Sequence, residues 1–343
     1  MNATSFLKRK FPLMIILLGI LILPLLSPPP YLIHIITFIF IWSYITTVWS
    51  YMGRFHLVSL GHGAFLGIGA YISVLLFNFY NISPWIGMLL GGMGAALLAL
   101  ILGYACFRFG VIGDYFALVT LALGEVVALI INAFRDVTGG SLGMTLKSVG
   151  TSFYYFQFEK KVYYYYISFL FLMSALFLWQ IIDRSRIRKA LHAIGEDEIA
   201  AASIGIRIIR YKLFITLISA FLTATGGVLY TQYMTYVNPE TLSGVGVSLA
   251  IPFKAILGGM FHLWGSTIGT AMIVSLEEYI RIMYGARFIG ISQVFYGILL
   301  VALIIFLPKG LYGTISDYWQ KRKRISEEQP KMKLGFLESR EGG

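Results

Sequence analysis

The sequence holds a single cysteine in 343 residues, Cys106, and few charges: Asp, Glu, Lys and Arg together make up 13% of the chain. One cysteine excludes an intrachain disulfide and a cysteine metal cluster. Set in an apolar run, it reads as a packed thiol. Soluble domains carry about 25% charged residues, so this chain has too little charge for a large globular body in water. The pattern G-x-x-x-x-G-K-[ST] does not occur, so no nucleotide is bound through such a loop. No H-E-x-x-H and no Cys/His cluster marks a metal. The five histidines are scattered, and no Ser/His/Asp arrangement follows from their spacing. The chain does not read as an enzyme, and no cofactor is expected. A signal-peptidase site is lacking too. The basic head and apolar run of "SFLKRKFPLMIILLGILILPLLSPPP" end in a proline triplet, which reads as an uncleaved first span.

What is present is apolar. Hydrophobic residues make up 58% of the chain, and the mean hydropathy is +0.78. Stretches of roughly 20 apolar residues recur, each long enough to cross a bilayer. The expected fold is an all-α polytopic membrane protein with about ten transmembrane helices, glycine-rich and in places broken. The spans read at 11–26, 31–50, 57–78, 84–106, 114–133, 162–182, 211–236, 247–263, 265–284 and 288–307, with Pro28–Pro30 and Pro84 marking breaks. Residues 1–313 form one membrane domain, and 314–343 is a charged tail.

The net charge of +11 does not point to nucleic acid, because the cations cluster in short loops between spans. They gather at 8–10, at Arg54 and Arg108, across 184–212 and from Lys309 onward. On the other side stand only Arg135, Lys147, Lys160, Lys161, Arg281 and Arg287. That bias places both termini and the loop 183–210 in the cytoplasm, and the loop 134–161 outside.

Small residues recur every four positions in three spans: Gly87, Gly91, Ala95, Ala99 and Gly103; Ser59, Gly63 and Gly67; Ser219, Thr223 and Gly227. Each set forms a smooth helical stripe, and such stripes let helices approach closely in lipid. Helix packing explains them without any further role. "SLGHGAFLGIGAY" (59–71) and "ILGGMFHLWGSTIGTA" (256–271) share a glycine-dense character, as broken helices lining a transport path do. Ionisable groups inside spans are costly: Glu125 lies mid-span, Lys254 lies in the eighth, and Glu277 and Glu278 lie near the outer end of the ninth. Each could line a polar path or form a structural ion pair. Candidate path residues are Ser59, Gly61, His62, Glu125, Thr138, Gly139, Gly140 and Ser141.

The loop 183–210 contains "HAIGEDEIAAASIGI" (192–206). Glu196, Asp197 and Glu198 favour the positive N-terminus of a helix. Ala200, Ala201 and Ala202 follow, and Gly205 can end the helix in the left-handed conformation. Arg207, Arg210 and Lys212 then sit at the membrane surface. A helix of one to two turns with a small-sided surface fits a groove on another protein; a solvated loop is the alternative.

The stretch "RKALHAIGEDEIAAASIGIRIIRYKLFITLISAFLTATGGVLY" (188–230) resembles the loop and following span of branched-chain amino acid ABC transporter permeases of the LivM type. "SLGHGAFLGIGAY", "VTGGSLGM", "ILGGMFHLWGSTIGTA" and "LPKGLYG" (307–313) resemble further signatures of that family, in the same order along the chain. The resemblance implies a permease subunit that imports branched-chain amino acids across the inner membrane of a prokaryote. It further implies two ATP-binding subunits, a second homologous permease and an extracytoplasmic solute-binding protein as partners. The segment 196–206 would be the coupling helix, with Glu198, Ala201 and Gly205 on the family's pattern and Glu196 and Asp197 at its head. Leu142 stands where the family's segment often carries an acidic residue, so urea or another small polar solute remains an alternative cargo. An ion-coupled secondary transporter is the alternative class.

Overall fold

The computed structural model describes residues 19–284 and, beyond them, positions 294, 297 and 298. The tenth span, the tail and most of the first span therefore lie outside the described residues. Among those described, eight long helices form the body: α1 (Pro30–Gly53), α2 (His62–Tyr80), α3 (Pro84–Arg108), α4 (Gly113–Ala133), α5 (Lys161–Arg184), α8 (Ile208–Met234), α9 (Val245–Gly258) and α10 (Gly265–Tyr284). Two short helices, α6 (Arg186–Glu196) and α7 (Glu198–Ser203), connect α5 to α8. Seven segments are long and apolar enough to cross a membrane, with the turn Pro239–Leu242 and α9 counted as one. The chain is an all-α, multi-pass membrane protein. Helix α10 misses that standard because Glu277, Glu278 and Arg281 crowd its last turns, yet Ile273 and Val274 are buried in the bundle.

Proline starts α1 and α3, at the position where a missing N–H costs nothing. Helix α1 is the centre of the bundle. Its Ile41, Ile45, Val48 and Trp49 are fully buried, and α5, α8, α9 and α10 pack around it. Helices α2, α3 and α8 make a second tight group. Here the stripe read on α3 finds its partners. Gly87 faces Ser73, Gly91 faces the backbone of Gly69, and Gly103 faces Leu213. Ala95 and Ala99 close a small cluster with Phe65, Ala220 and Ala224. The stripe packs on protein because each position brings a neighbouring helix too close for a larger side chain.

Two span boundaries lie five residues from those expected, and both are breaks at glycine. The third span begins at His62, not 57. Residues 57–61 are non-helical, and side chains take up the backbone groups that the break frees, as lipid could not. Trp49 Nε1 donates to the Ser59 carbonyl (2.7 Å), and the Leu60 N–H donates to Thr120 Oγ1 (3.0 Å). The eighth span ends at Gly258, not 263. Gly259 takes φ +105°, and Gly258 and Gly265 touch backbone to backbone. Met260, Phe261, Leu263 and Trp264 keep the hydropathy high through the connecting loop, so the sequence pattern overran the helix. Both breaks lie against the C-terminal end of α1, through Trp49–Ser59 and through Ser50 Oγ–Ser266 Oγ (2.6 Å).

At the opposite end, β1 (Met144–Thr145) pairs antiparallel with β2 (Tyr236–Val237), Met144 opposite Val237. An aromatic stack covers that end, with Trp85 and Phe156 at 4.3 Å between ring centres.

Candidate functional site

Most of the path residues read from the sequence meet on one helix, α4. At its N-terminal half the break before α2 presses on it. A Cβ on Gly61 would overlap the carbonyl of Thr120, so this position admits glycine alone. Ser59 and His62 are buried rather than open to a cavity. His62 Nε2 lies 2.8 Å from Ser219 Oγ, and His62 Nδ1 lies 3.2 Å from Ser59 Oγ. Ser219 spends its one hydroxyl proton on the Val48 carbonyl (3.0 Å), so it accepts from Nε2–H, and Nδ1 accepts from Ser59. The neutral Nε2–H ring fills this network and stitches α1, α2 and α8 together.

At the C-terminal end of α4, the segment Thr138–Ser141 folds back on the helix. Thr138 Oγ1 donates to the Ile131 carbonyl (2.6 Å) and accepts from the Gly140 N–H (3.1 Å). Gly139 and Gly140 take φ +77° and +57°, which is why glycine stands at both. Asn238 Nδ2 donates to the Ser141 carbonyl (2.9 Å), and the Tyr236 hydroxyl donates to the Leu142 carbonyl (2.6 Å). The turn thus fastens the end of α4 to the strand pair and to the start of α9. Ser141 and Leu142 themselves are exposed.

Between these clamps, Gly124 packs on Ser248 while its neighbour Glu125 points out of the bundle and is exposed. Leu118, Val126 and Leu129 share the exposure. Helix α4 is the least buried of the seven spans, at 33%, and it carries a carboxylate near the middle of its length.

Within the loop 183–210 the expected short helix forms. Asp197 caps α7, its Oδ1 accepting from the N–H of Ile199 (2.8 Å) and Ala200 (3.0 Å). Gly205 takes φ +86° beyond the last turn. Ala201 is buried against the bundle, while Ile199 and Ile204 are 81% and 75% exposed. Glu196, expected at the head of this helix, instead ends α6; it is exposed and lies 3.8 Å from His192. Thus α7 has a held side and a free apolar side.

A family model described as "Branched-chain amino acid transport system / permease component" matches residues 32–307. The chain belongs to this permease family. The high-affinity branched-chain amino acid permease LivM of Salmonella typhimurium is 28% identical over 282 residues, which cover 76% of this chain and 64% of that protein. LivM of Escherichia coli matches to the same extent, so the chain spans less than two thirds of these two curated relatives. The probable permease LivH of Methanocaldococcus jannaschii is 23% identical, covering 82% of this chain and 88% of that protein. The ribose import permease RbsC of Haemophilus influenzae is 24% identical over 70% of this chain and 68% of its own length. These similar proteins are membrane transport components, not enzymes. No solved structure matches the chain.

Two features of this permease escaped the sequence reading. Lys212 was expected at the membrane surface; it is 3% exposed, pairs with Glu198 and sits over the Phe107 ring (5.4 Å). Glu198 therefore reaches back to the bundle and anchors α7 to the first turns of α8. Buried cations are held by partners, but no spacing rule links positions fourteen apart across a turn. Second, Arg54 is buried just past the C-terminal end of α1, bonded to Asp183 of α5 (2.6 Å) and stacked on Trp179 (3.9 Å). Burial pulls the guanidinium pKa down to about 10, opposed by Asp183, and the group stays charged at neutral pH. The pair ties the base of α5, and hence the start of α6, to the core. The ion pair between Lys254 and Glu277 (3.0 Å) fits the structural reading of those two residues.

Proposed function

We propose that this permease is one membrane subunit of an ATP-driven importer of branched-chain amino acids. It works beside a second, similar permease, two ATP-binding subunits and an extracytoplasmic solute-binding protein, with both termini in the cytoplasm. The carrying observation is the bare face of α4. A carboxylate at the centre of a span is too costly to leave against lipid, so Glu125 favours a face that lines an aqueous path or meets the companion permease. The cargo crosses on that path, between clamps at Gly61 and at Thr138–Ser141 that hold α4 in place. Helix α7 seats its free side, Ile199 and Ile204, in a cleft of an ATP-binding subunit, while Glu198 and Ala201 keep it attached to α8. Coupling then requires only that nucleotide and cargo favour different states of the assembly.

The test uses cysteine reactivity in native membrane vesicles, in a Cys106→Ser background. Glu125→Cys is expected to react with a charged methanethiosulfonate and to change its rate when ATP is added. Leu97→Cys, on the exposed face of α3, is expected to stay unreactive. Ser148→Cys should label from outside without permeabilisation. Failure of Glu125→Cys to react would put α4 against lipid and remove the path from this helix, and labelling of Ser148→Cys only after permeabilisation would invert the orientation. Leucine binding to the cognate solute-binding protein, compared with urea, decides the cargo.

A further inference from the structure

The surface between α3 and the beginning of α8 carries a built combination of charge and greasy groove. Arg207 precedes α8 and Arg210 lies in its first turn; both are exposed, and neither has an acidic partner among the described residues. On the face of Arg210, Leu213, Phe214 and Leu217 follow at three, four and seven positions, the spacing of one helical stripe. With Leu100 of α3, Ile209 and the two arginines they line a groove of about 630 Å³. A second recess of about 270 Å³ adjoins it, bounded by Gly205, Arg207, Arg210 and Tyr211. A side chain at Gly205 would enter open space, so the recess stays clear.

We infer that this groove holds one anionic phospholipid, its phosphate between Arg207 and Arg210 and an acyl chain along Leu213, Phe214 and Leu217. The charge pattern selects the occupant. From Arg207 to Leu217 is about 15 Å along a helix, which matches half of a hydrocarbon core of about 30 Å. A cationic end at headgroup level and an apolar end at chain level reproduce the lengthwise polarity of a phospholipid. Two uncompensated cations favour an anionic headgroup over a zwitterionic one. The companion permease is a weaker fit, because it would have to bring acidic groups to the bilayer interface to match both arginines. The inference goes beyond the transport reading and does not depend on the cargo. The lipid would sit at the joint between α7 and α8, where binding stiffens the first turns of α8.

The experiment is native mass spectrometry of the full chain and of the assembled transporter, titrated with phosphatidylglycerol or phosphatidylcholine. One phosphatidylglycerol is expected to bind each permease chain at least about fivefold more tightly than phosphatidylcholine. Arg207→Gln/Arg210→Gln is expected to erase that preference. Arg186→Gln/Lys189→Gln, which removes the same charge from α6, is expected to keep it. Leu217→Trp fills the groove without touching charge and should weaken phosphatidylglycerol alone. Equal losses in both charge variants would mean a diffuse basic surface and overturn the site, as would an unchanged preference in Arg207→Gln/Arg210→Gln. An adduct seen on the isolated chain but absent from the assembled transporter would give the groove to a protein partner instead.

Discussion

Gly91→Leu is expected to leave little folded, extractable protein. The Cβ alone would stand 2.9 Å from both the Cα and the carbonyl oxygen of Gly69, which are backbone atoms with no rotamer to yield. Gly69 has no slack to give, because it presses in turn on the backbone of Ala224 in α8. Three helices thus meet through glycine and alanine, and a leucine must part them all. Overpacking a core with a few extra carbons costs about 1–3 kcal/mol. Here the cost is at the upper end or above, because the small-residue contact is itself what holds helices together in lipid. Gly246→Leu, where a Cβ meets nothing within 4 Å, serves as control. Fluorescence-detected size exclusion and the melting temperature are the readouts. Wild-type elution and melting in Gly91→Leu would show that α2 and α3 separate freely, and the close-packed account of this group would fall.

Glu198→Lys is expected to detach α7 and cost on the order of 3 kcal/mol, the range found when one partner of a buried pair is removed. The Lys212 side chain is 4% exposed and the Glu198 side chain 36%. Water therefore screens the carboxylate but not the ammonium, and the lysine is the member left uncompensated. A helix-dipole argument alone would allow about 0.3–1 kcal/mol for charge reversal at an exposed helix start; the pairing makes the effect larger. The swap Glu198→Lys/Lys212→Glu restores opposite charges and is expected to recover part of the loss. Thermal melting of the four forms gives the coupling energy. Solute-stimulated ATP hydrolysis by the assembled transporter should fall in Glu198→Lys and return partly in the swap. Additive melting shifts with no recovery would mean that the pair does not hold α7.

The helices and the small-residue seams were legible because lipid leaves few alternatives. A run of apolar residues must be helical, and a four-residue repeat of Gly and Ala must face a neighbour. The acidic start of α7 and Gly205 as its stop were legible for the same local reason: the chemistry of a helix end acts within a few residues; that Asp197 alone is the cap was not. The breaks were harder. At 57–61 and 259–264 the apolar character continues across a non-helical segment, and at the first break Trp49 and Thr120, ten and sixty residues away, take up freed backbone groups. His62 shows the opposite case. A histidine among glycines reads equally as a path residue or as a hydrogen-bonded packing residue, and Ser59 and Ser219 engage both its nitrogens. Glu125 could be placed at mid-span from the sequence, while its direction depends on which face of α4 meets Gly61, Gly67 and Ser248, a fact of packing alone. The Glu198–Lys212 and Arg54–Asp183 pairs depend on how loops fold back and leave no trace in periodicity.

Helix α8 runs unbroken for 27 residues, about 40 Å. Its lower end is gripped by α7 through Lys212, and its upper end runs directly into β2, which holds the Thr138–Ser141 turn. With its middle wedged between α2 and α3, it is a lever on a fulcrum. On the proposed transport reading, a push on α7 would swing the far end of α8 the other way and drag the clasp at Thr138–Ser141 with it. Closing at one membrane face and loosening at the other would then be two readings of one tilt, and the two faces would need no separate signal to keep them from opening together.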